Sequence, residues 1–151
     1  EYVLIMILAQ LPGYLVAAWL VEKLGRKATL AGFIGMCAVS AYFFGQSGSV
    51  TEIVIWGCLM SFFNLGAWGV LYTYTPEQYP TNIRAFGSGW AGAIGRIGGI
   101  VAPFAVTHLM VMPSGFSYVF TMFTVVLIAV AVVIFVLGEE TKGRTLESLS
   151  Q

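Results

Sequence analysis

Aspartate is absent from this chain of 151 residues, and charged residues of all kinds make up only 9% of it. Seven Lys and Arg balance seven Glu, and there is a single His. A soluble domain carries roughly 25% charged residues, so this chain has too few polar side chains to cover a water-exposed surface. The shortage of charge also excludes a disordered chain and a nucleic-acid-binding protein with a basic face. We therefore expect a lipid bilayer to surround most of the chain.

The chain has only two cysteines and one histidine, so few residues could bind a metal ion or act as a catalytic nucleophile. Cys37 and Cys58 both lie inside apolar runs, where a buried thiol is a better interpretation than a disulfide or a metal ligand. No nucleophile and base are paired in the sequence. The sequence therefore predicts no metal site, no cofactor and no enzyme.

Apolar residues make up 58% of the chain and are concentrated in five runs. Each run has close to the ~20 residues that a helix needs to cross a bilayer. A helix satisfies its own backbone in lipid, so it is favoured even for the β-branched last run. The predicted fold class is an all-α polytopic membrane bundle, with spans at 2–21, 28–45, 53–74, 87–110 and 117–137 and a tail at 138–151.

The basic residues outside the spans fall in alternate connectors. Three follow the first span, one follows the third and two follow the fifth, whereas the other two connectors have none. By the positive-inside rule, the basic side and the C-terminus face the cytoplasm. We therefore expect a multi-pass protein of the cell membrane with the following cytoplasmic basic residues: Lys23, Arg26, Lys27, Arg84, Lys142 and Arg144.

Three segments on the basic side have distinctive sequences. They read Glu-Lys-Leu-Gly-Arg-Lys at 22–27, Pro-Glu-Gln-Tyr-Pro-Thr-Asn-Ile-Arg at 76–84 and Gly-Glu-Glu-Thr-Lys-Gly-Arg at 138–144. Gly25 occupies the place where a helix end favours a left-handed residue. The first segment alone fits an ordinary turn with basic residues. The candidate gating residues in them are Glu22, Gly25, Arg26, Lys27, Glu77, Arg84, Glu139 and Arg144.

In this order and spacing, the three segments resemble loop signatures of the major facilitator superfamily. Ala18 and Glu22 stand where the first signature has Gly and Asp, and Glu139 stands where the third has Pro. The resemblance implies that the five spans are helices eight to twelve of a twelve-helix transporter, and that the first seven helices are absent. It also implies transport by alternating access, with any proton coupling through residues of the absent helices.

The fourth span narrows the resemblance. Residues 87–103 are similar to metabolite:proton symporters of the nicotinate and aromatic-acid type and to organic-ion transporters, and they do not resemble span eleven of sugar porters. In organic-ion transporters, the position before the Gly98-Gly99 stretch is typically Arg in anion carriers and Asp in cation carriers. The resemblance therefore implies an anion as the substrate.

Arg96 is the charged residue of this span. It lies about nine residues from the start, which is roughly 14 Å along a helix and near the middle of a ~30 Å hydrocarbon layer. A charge at this depth costs about 2.5–3.5 kcal/mol, so it must face a partner or water. Arg96 either binds a carboxylate with its planar guanidinium or has a structural role, bonded to backbone carbonyls or to a Glu of an absent helix.

Asn64, Trp68 and Tyr72 recur every four residues, so they share one face of the third span. An amide beside two aromatic rings suits a flat ligand with a polar edge, although aromatic packing is an alternative. Gln10 is a weaker candidate in the first span. We expect the transport of a small organic anion such as an aromatic or heteroaromatic carboxylate; the alternatives are a sugar porter and a non-transporting scaffold or sensor with the same fold.

Charge placement gives two further expectations. Arg26 should pair with Glu77, and Arg84 or Arg144 should join Glu22 or Glu139 in one layer, because both signs recur at the signature positions. All seven Glu lie in loops or at span ends, so a proton-coupling carboxylate is expected outside these five spans.

Overall fold

The structure, a computed structural model, describes residues 1–143 and is built from helices in that part of the chain. Five segments there are long and apolar enough to cross a membrane. The predicted all-α class with five spans is confirmed. The helices are α1 (Tyr2–Leu8), α2 (Gln10–Leu24), α3 (Arg26–Gln46), α4 (Val50–Glu77), α5 (Arg84–Met110) and α6 (Gly115–Leu137).

The first span is interrupted at Ala9, which separates α1 from α2. Pro12 explains the position of this break, because it has no N–H for the carbonyl of Leu8 and its ring crowds that carbonyl. The two helices nevertheless form one membrane-length segment, Tyr2–Leu24.

The helices extend past the spans that hydropathy marks. α4 occupies Val50–Glu77 where the run of apolar residues covers 53–74, and α3 and α5 begin two and three residues before their runs, at Arg26 and Arg84. Hydropathy marks only the part of a helix that lies in the hydrocarbon layer. The helix itself can continue beyond that layer, because its terminal backbone groups find hydrogen-bond partners there. At the start of α4, the N–H of Glu52 donates to the side chain of Ser49 at 3.3 Å.

α3 is the central helix of the described residues, because it packs against both α4 and α6. Leu30, Phe33 and Ile34 of α3 are buried against Ala67 and Val70 of α4. The ring of Phe33 lies 5.4 Å from that of Phe63 in an edge-to-face arrangement, and such aromatic pairs add to the packing.

Small residues and hydroxyls bring these helices close together. An added Cβ at Gly13 of α2 would lie 2.9 Å from the carbonyl carbon of Phe62 in α4. Between α6 and α3, Ser117 donates to the carbonyl of Gly45 at 2.8 Å, and Thr124 donates to that of Ala38 at 3.2 Å. Close approach through small residues and hydroxyl hydrogen bonds is how helices associate where lipid removes the hydrophobic driving force.

α5 differs from the other long helices because none of its residues is buried among residues 1–143. Its contacts with α4 and α6 are sparse. Its glycines at 89, 92, 95, 98 and 99 have no atom within 4 Å of an added Cβ. The helix that carries Arg96 therefore exposes most of its surface.

Candidate functional site

The face of α4 that carries Asn64, Trp68 and Tyr72 is exposed. Trp68 and Tyr72 are 47% and 73% exposed, and their ring centroids lie 5.5 Å apart. The opposite side of the same helix is the one that packs, through Ala67, Val70 and others. The predicted shared face of these three residues is therefore present, and it exposes two aromatic rings.

Arg96 lies in the middle of α5 and is exposed. Within residues 1–143, no hydrogen bond or ion pair holds its guanidinium, so the backbone carbonyls of this part of the chain do not neutralise it. No polar contact in the described residues joins it to Asn64, Trp68 or Tyr72. The four side chains occur on two exposed helix surfaces, and Gln10 is separate from them, half-buried at the start of α2.

The basic side of the molecule carries a second group of candidate residues. Nε of Arg26 lies 2.8 Å from Oε2 of Glu77, with side chains that are 27% and 15% exposed, so the expected ion pair between these residues is confirmed. The Nε–H does not point along the hydrogen-bonding direction, so the contact is a charge pair rather than an aligned hydrogen bond. Oε2 of Glu77 also accepts a hydrogen bond from the hydroxyl of Thr141. The pair joins the start of α3 to the end of α4.

Gly25 is the single residue between α2 and α3, and its φ is positive at 93°, but the left-handed conformation expected for it is wrong. Its ψ is 167°, so the residue is extended rather than left-handed helical. The reason is that Gly25 ends one helix and begins the next, and the residue before a helix has an extended ψ. This combination of angles is open essentially to glycine alone.

The sequence analysis did not identify Glu140, which has a central position in this layer. Its Oε1 accepts the backbone N–H groups of Arg26 and Lys142, each at 3.0 Å. A carboxylate at the first turn of α3 is favoured by the helix dipole. The sequence signal for Glu140 was its place in the signature segment at 138–144, but that segment does not show that the tail returns to a residue 114 positions earlier.

The backbone of Glu139 takes part in this layer. Its carbonyl accepts the hydroxyl of Tyr74 at 2.8 Å and the side-chain amide of Gln78 at 3.2 Å. Lys142 adds a further link, because its ammonium donates to the carbonyl of Lys23. The tail after α6 is therefore fastened to the ends of both α2 and α4.

The other gating candidates occupy varied positions. Arg84 donates to the backbone carbonyls of Pro76 at 2.8 Å and Tyr79 at 3.3 Å, which closes the turn between α4 and α5. Glu22 and Arg26 line a cleft of about 240 Å³ between α2 and α4. Arg144 lies outside the described residues, so its pairing, and the wider layer that includes Glu22, stay predictions.

A comparison with protein families gives a match over nearly the whole chain. Residues 3–151 match the family described as "Sugar (and other) transporter". The match includes the three signature segments and the five membrane-length helices.

Three similar proteins are transporters by name. The niacin transporter NiaP of Acinetobacter baylyi is 76% identical over 99% of this chain, which covers 34% of that protein. The putative niacin/nicotinamide transporter NiaP of Bacillus subtilis is 54% identical over 97% of this chain and 37% of its own length. The putative metabolite transport protein YdjK of Escherichia coli is 37% identical over 91% of this chain and 30% of its own. This chain thus spans about a third of the length of these relatives, and it belongs to the sugar (and other) transporter family of the major facilitator superfamily.

Proposed function

We propose that the carrier containing this chain transports a small heteroaromatic monocarboxylate, such as nicotinate, across the cell membrane by alternating access. The observation that carries the proposal is Arg96, a cation in the middle of a span with no polar partner among residues 1–143. An unpaired guanidinium in a low-dielectric cavity is unfavourable, and a bound carboxylate relieves that cost with a bidentate contact. Because the chain is about a third of its relatives' length, the activity is that of the whole carrier.

The exposed face of α4 supports an aromatic substrate. The rings of Trp68 and Tyr72, whose centroids lie 5.5 Å apart, offer exposed aromatic surface, and Asn64 lies one helical turn away with a donor and an acceptor. A pyridine ring has a flat apolar face and one ring nitrogen, which these groups suit. Two of the similar proteins are named for niacin, a pyridine carboxylate, and one of them also for nicotinamide; a cation at Arg96 and exposed aromatic rings on α4 suit the charge and the ring of niacin.

A sugar is the second candidate substrate, because the family description includes sugars. Hydroxyl groups are best bound by several side-chain amides, and the interiors of these spans offer only Asn64 and Gln10. A sugar has no negative charge to neutralise Arg96. A scaffold that no longer transports would likewise have no use for a cation at this depth. Both alternatives are less well supported than the carboxylate.

We further propose that Arg26, Glu77 and Glu140 form a cytoplasmic lock that holds the ends of α3, α4 and the tail together. Two charges of opposite sign lie 2.8 Å apart in a partly exposed position, where a pair can separate and reform at moderate cost. Such a layer suits a carrier whose two halves rock around a fixed site. Proton coupling, if present, would use carboxylates outside these spans, since every Glu of this chain lies in a loop or at a span end.

Uptake of nicotinate and its neutral amide by the full-length carrier in proteoliposomes tests the proposal. Wild type should take up the carboxylate in preference to the amide. Arg96→Lys should weaken uptake of the carboxylate, because lysine lacks the planar guanidinium that forms two parallel hydrogen bonds. Arg96→Ala should remove the preference. Lys23→Ala is the matched control, since it removes a cation that lies over Trp19 at a helix end. Equal uptake of both compounds by wild type, unchanged in Arg96→Ala, would show that Arg96 is structural.

A further inference from the structure

An apolar groove of about 460 Å³ lies on the outer surface between α3 and α6. One wall consists of Ala28, Ala31, Gly32 and Gly35, which share one face of α3 at helical spacing. The other wall is contributed by α6 between Ile128 and Phe135. The groove has almost no polar lining, so water would find no partners in it, and hydrocarbon is its natural occupant.

The small residues of α3 keep the groove open. An added Cβ at Gly32 or Gly35 would have no heavy atom within 4 Å, whereas one at Gly45, farther along α3, would lie 2.5 Å from the Cβ of Phe120. The glycines at 32 and 35 are therefore not needed for packing within residues 1–143. The distance from residue 28 to residue 35 is about 10 Å along the helix, most of the depth of one ~15 Å leaflet.

Lys27 lies at the end of the groove that belongs to the basic side. Its ammonium nitrogen is 5.6 Å from the ring centre of Phe135, which itself lines the groove. No carboxylate in the described part of the chain pairs with Lys27, whereas the adjacent Arg26 is paired with Glu77. Lys27 also occupies the first turn of α3, where the helix dipole favours an anion. The ammonium group of Lys27, unpaired among the described residues, therefore lies at one end of the apolar groove.

We propose that this groove binds an anionic phospholipid of the cytoplasmic leaflet, with one acyl chain between α3 and α6 and its phosphate at Lys27. Basic pockets between helices on the cytoplasmic side are suited to anionic head groups. A second copy of the chain fits less well, because the groove is short for a helix pair and Lys27 would be an unpaired charge within a protein interface. The proposal is independent of the transported substrate.

Native mass spectrometry of the full-length carrier, reconstituted in equimolar phosphatidylcholine and phosphatidylglycerol, tests the proposal. Wild type should retain phosphatidylglycerol in preference to phosphatidylcholine. Lys27→Gln should lower that preference about fivefold, the effect of one lysine near an anionic surface. Gly32→Leu places a side chain in the groove, and its Cβ has no heavy atom of the described chain within 4 Å, so it should reduce the retention of both lipids.

Two matched controls separate the groove from the general surface. Lys23→Gln removes a cation that stacks on Trp19 outside the groove, and Ala129→Leu adds the bulk of a leucine side chain on an exposed position of α6 outside the groove lining. Both should keep the wild-type lipid preference. The proposal is overturned if Lys27→Gln leaves the preference intact, or if the controls reduce it equally. It is also overturned if Gly32→Leu dissociates a dimer in light scattering, since a second copy would then occupy the groove.

Discussion

The ion pair between Arg26 and Glu77 allows a quantitative prediction about the charged layer on the basic side of the molecule. Glu77→Gln removes the negative charge and keeps an oxygen acceptor for the hydroxyl of Thr141. At a separation of 2.8 Å, the Coulomb attraction is about 6 kcal/mol for an effective dielectric constant of ~20. Desolvation cancels most of it, since the side chains are 27% and 15% exposed. We expect a coupling of about 1–3 kcal/mol, between the values for exposed and for fully buried pairs.

A double-mutant cycle on the full carrier measures this coupling. Arg26→Ala and Glu77→Gln should each lower the free energy of unfolding, and the double variant should lose less than the sum of the two. Glu52→Gln is the matched control, because Glu52 lies at the opposite end of α4 and accepts one exposed backbone N–H from Gly48 at 2.9 Å. A coupling below about 0.3 kcal/mol, which is the scatter of independent sites, would refute the reasoning.

Two glycine substitutions make further predictions, each measured by thermal unfolding of the carrier. Gly13→Ala should destabilise the folded carrier by about 1–3 kcal/mol, since the added Cβ meets the rigid backbone of Phe62. Gly98→Ala is the control and should leave the stability unchanged, because its added Cβ has no heavy atom of the described chain within 4 Å. Gly25→Ala should be at least as harmful, because the φ of 93° is strained for alanine and the methyl group would lie 2.5 Å from the carboxylate of Glu140. Unchanged midpoints would contradict the close contacts described.

The sequence predicted the parts of the fold that depend on local pattern. Five apolar runs gave five membrane-length helices, and the loop signatures predicted the contact of Arg26 with Glu77 over 51 positions of chain. The central position of α3 was not predictable, because a membrane helix is apolar on every side and hydropathy does not separate a neighbouring helix from lipid. Its packing depends instead on glycines and hydroxyls that meet only after the chain folds.

The role of Glu140 shows the same limit within the candidate site. Its carboxylate accepts the N–H of Arg26 because the tail after α6 returns to the α2–α3 junction. The signature segment at 138–144 contains Glu140, but nothing local shows that its carboxylate meets the backbone N–H of a residue 114 positions earlier. The shared face of Asn64, Trp68 and Tyr72, by contrast, follows directly from their spacing. Whether that face and Arg96 bind one ligand stays a prediction.

Direct binding of nicotinate to the purified full-length carrier tests the central claim, that Arg96 recognises a carboxylate. Calorimetry should show that Arg96→Ala weakens nicotinate binding by roughly 10- to 150-fold. This factor corresponds to the loss of about 1.5–3 kcal/mol, the usual contribution of a hydrogen bond to a charged group. Binding of nicotinamide should change little, because its amide has no charge for Arg96 to neutralise. Equal loss of affinity for both compounds, or no loss for either, would contradict the account.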